Sequence, residues 1–141
     1  MKTMFQVGLD GSVPRAARKA VSYPPERSAS PTFDRQSLVN RLMGDEALVK
    51  EIVAGFLADM PIQIRALRAH IGAGDAKSAG IQAHTIKGAA AGVGGMALSA
   101  VAFQMEQVGK AGRLDDIAAL MPELDRQLER LKEAMEKSCA F

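Results

Sequence analysis

The chain has 141 residues, enough for one domain with a single buried core of roughly 100 to 110 residues and a remainder. It has no Trp, one Tyr and eight Met among abundant Ala and Leu, which favours helix over strand and makes an all-α domain the expected class. The formal net charge of +2 traces to residues 1–32, where Lys2, Arg15, Arg18, Lys19 and Arg27 outnumber Asp10 and Glu26; the remainder, with 13 basic and 14 acidic side chains, carries no electrostatic footprint for nucleic acid.

Residues 1–32 show no sustained period and carry Pro14, Pro24, Pro25 and Pro31 among Gly and Ser. Such a composition buries too little apolar surface to offset ordering, so this segment reads as a flexible arm or linker. It fits the start of a free-standing protein or a linker from a larger one.

Order is expected from Phe33-Asp34, with Asp34 capping a short helix that ends near Gly44 and Phe33 packing on Leu38. Asp45 caps a long second helix, whose apolar stripe is predicted as Leu48, Ile52, Phe56, Met60, Ile64, Leu67 and Ile71. Pro61 removes a backbone hydrogen bond there, so a kink or a division is expected. Gly72-Ala73-Gly74 ends this helix, and Asp75 caps the next, which runs to about Ala91 before the turn Gly92-Val93-Gly94-Gly95.

A fourth helix from Met96 to about Lys110 places Leu98, Val101, Ala102, Met105 and Val108 on one side. In the last helix Ile117, Met121, Leu124, Leu128, Leu131 and Met135 recur as the seam of a nearly antiparallel packing, with Pro122 as a kink site. Short connections make the predicted architecture an antiparallel four-helix bundle with a short additional N-terminal helix, over residues 33–137, and 138–141 as a tail. Cys139 is the single cysteine, so no intrachain disulfide forms and a reducing cytoplasm fits best. No apolar run approaches the roughly 18 to 20 residues of a membrane span, and the N-terminus lacks a compact signal-peptide stretch.

The chemistry concentrates in residues 80–91, because Gly80, His84, Lys87, Gly88 and Ala91 fall on one face of a helix. Glycine within a helix costs roughly 0.5 to 1 kcal/mol relative to alanine, and two of them flank one histidine, a turn away on each side. Close approach to that histidine is the implied gain. Ile81, Ile86, Ala89, Ala90 and Val93 are predicted to face the core, which leaves His84 on the bundle surface. There the imidazole is a nucleophile with room around it, beside the Lys87 cation, an arrangement suited to a phosphoryl group.

The run His84-Thr-Ile-Lys87-Gly88, followed by Gly94, Leu98 and Met105-Glu106, resembles the signature of histidine phosphotransfer (HPt) domains. The resemblance covers about residues 33–136. It implies that His84 exchanges phosphate with an aspartate of a response-regulator receiver domain in a two-component phosphorelay, with a hybrid sensor kinase upstream. It further implies that Lys87 stabilises the phosphoryl group, that Gly88 permits docking, with Gly80 and Ala91 around it, and that a polar residue on the next helix orients the imidazole. Glu106 matches that position; family members with Gln there have an amide that donates and accepts, whereas an ionised Glu only accepts and pairs with the Nδ1 proton. No cofactor of its own is expected, the partner receiver bringing Mg²⁺, and no autonomous kinase activity, since Lys87-Gly88 does not continue as a P-loop.

Other features read as structural. His70 lies near a helix end, where an imidazole satisfies terminal carbonyls, and His70 with His84 lacks metal-ligand spacing. Gly92-Val93-Gly94-Gly95 follows a helix rather than a strand, so it is a turn and not a dinucleotide fingerprint. The competing reading is a non-signalling helical assembly module in which His84 is incidental.

Overall fold

Aspartates begin the first three helices of the computed structural model, which describes residues 31–139. Asp34 accepts the Ser37 amide at 3.1 Å ahead of α1 (Arg35–Arg41), and Asp45 accepts that of Leu48 at 3.1 Å ahead of α2 (Glu46–Gly72). Asp75 accepts the Ser78 amide at 3.0 Å ahead of α3 (Ala76–Gly92). Each carboxylate takes an amide that helix geometry leaves without a partner, at the positive end of the helix dipole. Hydrogen bonds from Ser37 and Ser78 hold the Asp34 and Asp75 carboxyls below the usual range. The remaining helices are α4 (Met96–Lys110), which follows Gly95 without a side-chain cap, and α5 (Leu114–Cys139).

The connections turn on left-handed glycines: Gly44, Gly74, Gly94 and Gly112 all have positive φ. After three of them, the next amide donates five residues back: Asp75 to His70 at 3.0 Å, Gly95 to Ala90 at 2.8 Å and Arg113 to Val108 at 2.9 Å. At Gly94 glycine is required twice over. Its φ is +83°, and a Cβ would lie 2.6 Å from the Asp34 carbonyl oxygen. That proximity lets the segment before α1 lie on the α3–α4 turn, where the Asp34 amide donates to the Gly94 carbonyl at 2.8 Å and the Ala97 amide to that of Pro31 at 2.9 Å.

Helices α2 to α5 form the four-helix bundle, with the largest interface between α3 and α4, α5 closing on both α4 and α2, and α1 lying against α2. All the described structure is helical. The core is built from Phe56, Met60, Ile64 and Leu67 of α2, Ala79, Ala83, Ile86 and Ala90 of α3, Leu98, Ala102 and Met105 of α4, and Ile117, Leu124, Leu131 and Met135 of α5. The α4 and α5 seams match the sequence pattern, with Val108 and Leu128 half-buried at their margins.

Two expectations are corrected within α2. Val49 and Val53, not Leu48 and Ile52, are fully buried at its start. These are adjacent apolar rows one residue apart, and periodicity alone does not say which the neighbours cover. Of the kink or division expected at Pro61, the division does not occur: the helix runs through Pro61, as α5 runs through Pro122. Both prolines are exposed, so the lost hydrogen bonds lie on the solvent side while the buried rows continue past them.

The predicted arm, 1–32, lies outside the described residues except for Pro31 and Thr32. Of the predicted tail, 138–141, Ser138 and Cys139 belong to α5 and the rest lies outside the described residues. No described helix is long and apolar enough to cross a membrane.

Candidate functional site

The site begins with a backbone contact. A Cβ on Gly109 of α4 would lie 2.6 Å from the Cα of Gly80 and 3.1 Å from the Ala76 carbonyl oxygen, and one on Gly80 would lie 3.2 Å from the Cα of Gly109. Only two glycines permit α3 and α4 to come this close. One turn on in α3 and one turn back in the antiparallel α4, His84 and Glu106 then face each other across a short gap, with Nδ1 2.9 Å from Oε2. Substituting Gly109→Ala forces backbone away from backbone, and overpacking of this kind costs about 1 to 3 kcal/mol. The expected result is a lower urea midpoint together with a weakened His84–Glu106 hydrogen bond, seen in the imidazole ¹⁵N shifts.

Glu106 is the hub. Its side chain is 6% exposed, whereas that of His84 is 63% exposed. Besides the imidazole it accepts from the Lys87 Nζ at 2.7 Å on Oε1, and the Lys110 Nζ, one turn along α4, stands 3.4 Å from Oε2. The Lys87 hydrogen bond, helped by those from His84 and Lys110 and by the Lys87 charge, outweighs burial and brings the Glu106 carboxyl down to about 2. Glu106 is therefore a carboxylate at neutral pH and only accepts. The Nδ1 facing it carries a proton, so in the neutral imidazole the lone pair resides on Nε2.

Lys87 is fixed at both faces, since its ammonium also lies 5.3 Å from the Phe103 ring centroid. Its backbone carbonyl accepts the Ser99 hydroxyl at 3.1 Å, a further tie from α3 to α4. Gly88 is exposed, and among the described residues nothing lies within 4 Å of where its Cβ would be. A groove of about 440 Å³ runs beside His84 and Glu106, floored by Gly80 and Gly109 and flanked by Lys77, Ile81 and Lys110.

Of the residues singled out in the sequence, His84, Lys87 and Glu106 meet in one cluster, with Gly88 beside them on the surface. Gly80 is buried against α4, so the close approach its position implied is that of a neighbouring helix, although it also lines the groove. Ala91 is half-buried, and its carbonyl accepts from Arg41 at 3.5 Å. Ile81 is 61% exposed rather than core-facing, because Ala79, Gly80 and Ala83 occupy that side of the helix instead.

Two participants escaped the sequence reading. Lys110 was legible as the i+4 partner of Glu106, a favourable order of acid before base. Gly109 lies one residue from the predicted helix end, and its pairing with Gly80 is tertiary. His70 lies in the last turn of α2 and takes no part in the cluster. Among the described residues no group of three or more His, Cys, Asp or Glu side chains is assembled to hold a metal.

A protein-family model described as "Hpt domain" matches residues 51–134, a span that contains all of α3 and α4 and every residue of the cluster. No curated protein and no solved structure gives a significant match.

Proposed function

Because the chain belongs to the Hpt domain family, whose members carry phosphoryl groups on histidine in phosphorelays, we propose that His84 accepts a phosphoryl group from a receiver-domain aspartate and passes it to another receiver. The observation that carries this reading is the Glu106 carboxylate at the Nδ1 of an exposed imidazole, which leaves Nε2 free to attack. The Nε2 lone pair forms the N–P bond, the P–O bond to the aspartate breaks, and that electron pair returns to the aspartate carboxylate. No proton needs to leave. His84 keeps its Nδ1 proton, and the resulting phosphoimidazolium stands against the Glu106 carboxylate.

Lys87 contributes positive potential from its fixed position, and the partner receiver supplies the aspartate and Mg²⁺. This division suits phosphoryl transfer, which needs positioning and charge neutralisation more than covalent machinery. The chain is a carrier rather than a kinase, and it works in the cytoplasm with receiver domains and an upstream hybrid sensor kinase as partners. Incubation with a radiolabelled phospho-receiver tests the reading: acid-labile, alkali-stable label on this chain supports it, whereas no label with any receiver from the same genome returns the assembly module to first place.

The docking surface centres on His84 and includes Gly88, with Gly80 and Ala91 at its margins. Among the described residues nothing lies within 4 Å of a Cβ at Gly88, which leaves room there for a partner. Gly88→Glu is expected to leave the urea midpoint within experimental error while slowing transfer from a phospho-receiver at least about tenfold, through bulk and like charge. A rate equal to wild type removes Gly88 from the interface.

A further inference from the structure

The cluster around Glu106 contains more positive charge than it consumes. One carboxylate faces two ammonium groups, and the two are held very differently. Lys87 is 27% exposed, bonds to Oε1 at 2.7 Å and lies over the Phe103 ring. Lys110 is 67% exposed, stands at the longer distance of 3.4 Å and shares Oε2 with the His84 ring. Moving Lys87 breaks a short ion pair and a cation–π contact, whereas moving Lys110 costs a long, solvated contact.

Lys110 also flanks the groove beside His84, where Gly80 and Gly109 place no side chain in its path. We propose that Lys110 is the cation that leaves Glu106 and closes on the phosphoryl oxygens at Nε2, while Lys87 stays with Glu106 and keeps the carboxylate in register with Nδ1. The inference rests on the phosphotransfer reading and adds to it a residue the sequence analysis did not single out. It assigns the lysines different tasks: Lys110 binds the transferred group, and Lys87 positions the residue that positions the histidine.

Phosphoramidate, a small phosphohistidine donor, separates this from partner docking, because the Nε2–P bond forms as the donor P–N bond breaks and ammonia departs. Wild type, Lys110→Met, Lys110→Arg and Lys87→Met are compared for initial phosphorylation rate by ³¹P NMR and for His84 ¹⁵N shifts before phosphorylation. Loss of one charge-assisted contact predicts a rate about ten- to a hundredfold lower in Lys110→Met, with the ¹⁵N shifts unchanged and the rate restored in Lys110→Arg. Lys87→Met is expected to move the ¹⁵N shifts. The inference is overturned if Lys110→Met phosphorylates within twofold of wild type, or if Lys87→Met slows the reaction with its imidazole signals unmoved. If wild type takes up no phosphate, the phosphoacceptor reading itself fails and this one with it.

Discussion

His84→Gln is expected to take up no acid-labile phosphate from a phospho-receiver and to unfold at nearly the same urea concentration as wild type. Both halves follow from the geometry. The replacement has no ring nitrogen, so no N–P bond can form whatever the state of the rest of the cluster. The His84 side chain is 63% exposed and contributes little buried packing, while Glu106 keeps its bonds from Lys87 and Lys110. Surface substitutions of this kind shift stability by about 0.5 kcal/mol. Label that persists in the variant and is acid-stable points to a different acceptor. Label lost together with the helical circular dichroism shows instead that His84 supports the fold.

Glu106→Gln is expected to affect both stability and transfer. In the folded chain the Glu106 carboxyl lies at about 2, below its ordinary value of 4.5, chiefly because Lys87 donates to it. A depressed carboxyl contributes stability that is fully present above about pH 4.5 and is lost as the pH falls towards 2. Neutral glutamine has no such dependence. The variant is therefore expected to be less stable than wild type by about 1 to 3 kcal/mol at pH 7, the range for hydrogen bonds to charged groups and their loss, and the gap narrows as the pH drops through that window. Urea midpoints for both proteins between pH 7 and pH 2.5 test this. A gap that stays constant with pH assigns the loss to packing rather than charge.

Transfer should slow in the same variant for a related reason. The phosphoimidazolium loses its counter-charge, and the difference between a charge-assisted and a neutral hydrogen bond, about 1 kcal/mol, corresponds to roughly a five- to tenfold slower rate at pH 7. An amide also both donates and accepts, so it no longer dictates which ring nitrogen bears the proton.

The parts of this molecule that obey local rules were readable from the residues. Asp34, Asp45 and Asp75 announce three helix starts, glycines punctuate the turns, and the α5 row from Ile117 to Met135 names its own buried side. What the residues left undecided was every question whose answer lies on another helix. Leu48 and Val49 are equally apolar, and only the packing of the bundle chooses between them. Gly80 advertised a close approach, yet the residue that approaches, Gly109, lies on the next helix. His84, Lys87 and Glu106 were found as types at spacings, but that one buried carboxylate serves all three of His84, Lys87 and Lys110 is a fact of three dimensions.

The contact between Gly80 and Gly109 also bears on the order in which the molecule assembles. The described charged groups of the cluster, His84, Lys87, Glu106 and Lys110, come from a single hairpin of neighbouring helices, α3 and α4, joined by the short turn at Val93-Gly94-Gly95. Contacts this local close early, because little chain entropy is lost in bringing them together. The working centre is therefore complete once two consecutive segments have zipped, and α1, α2 and α5 are left to cover its back.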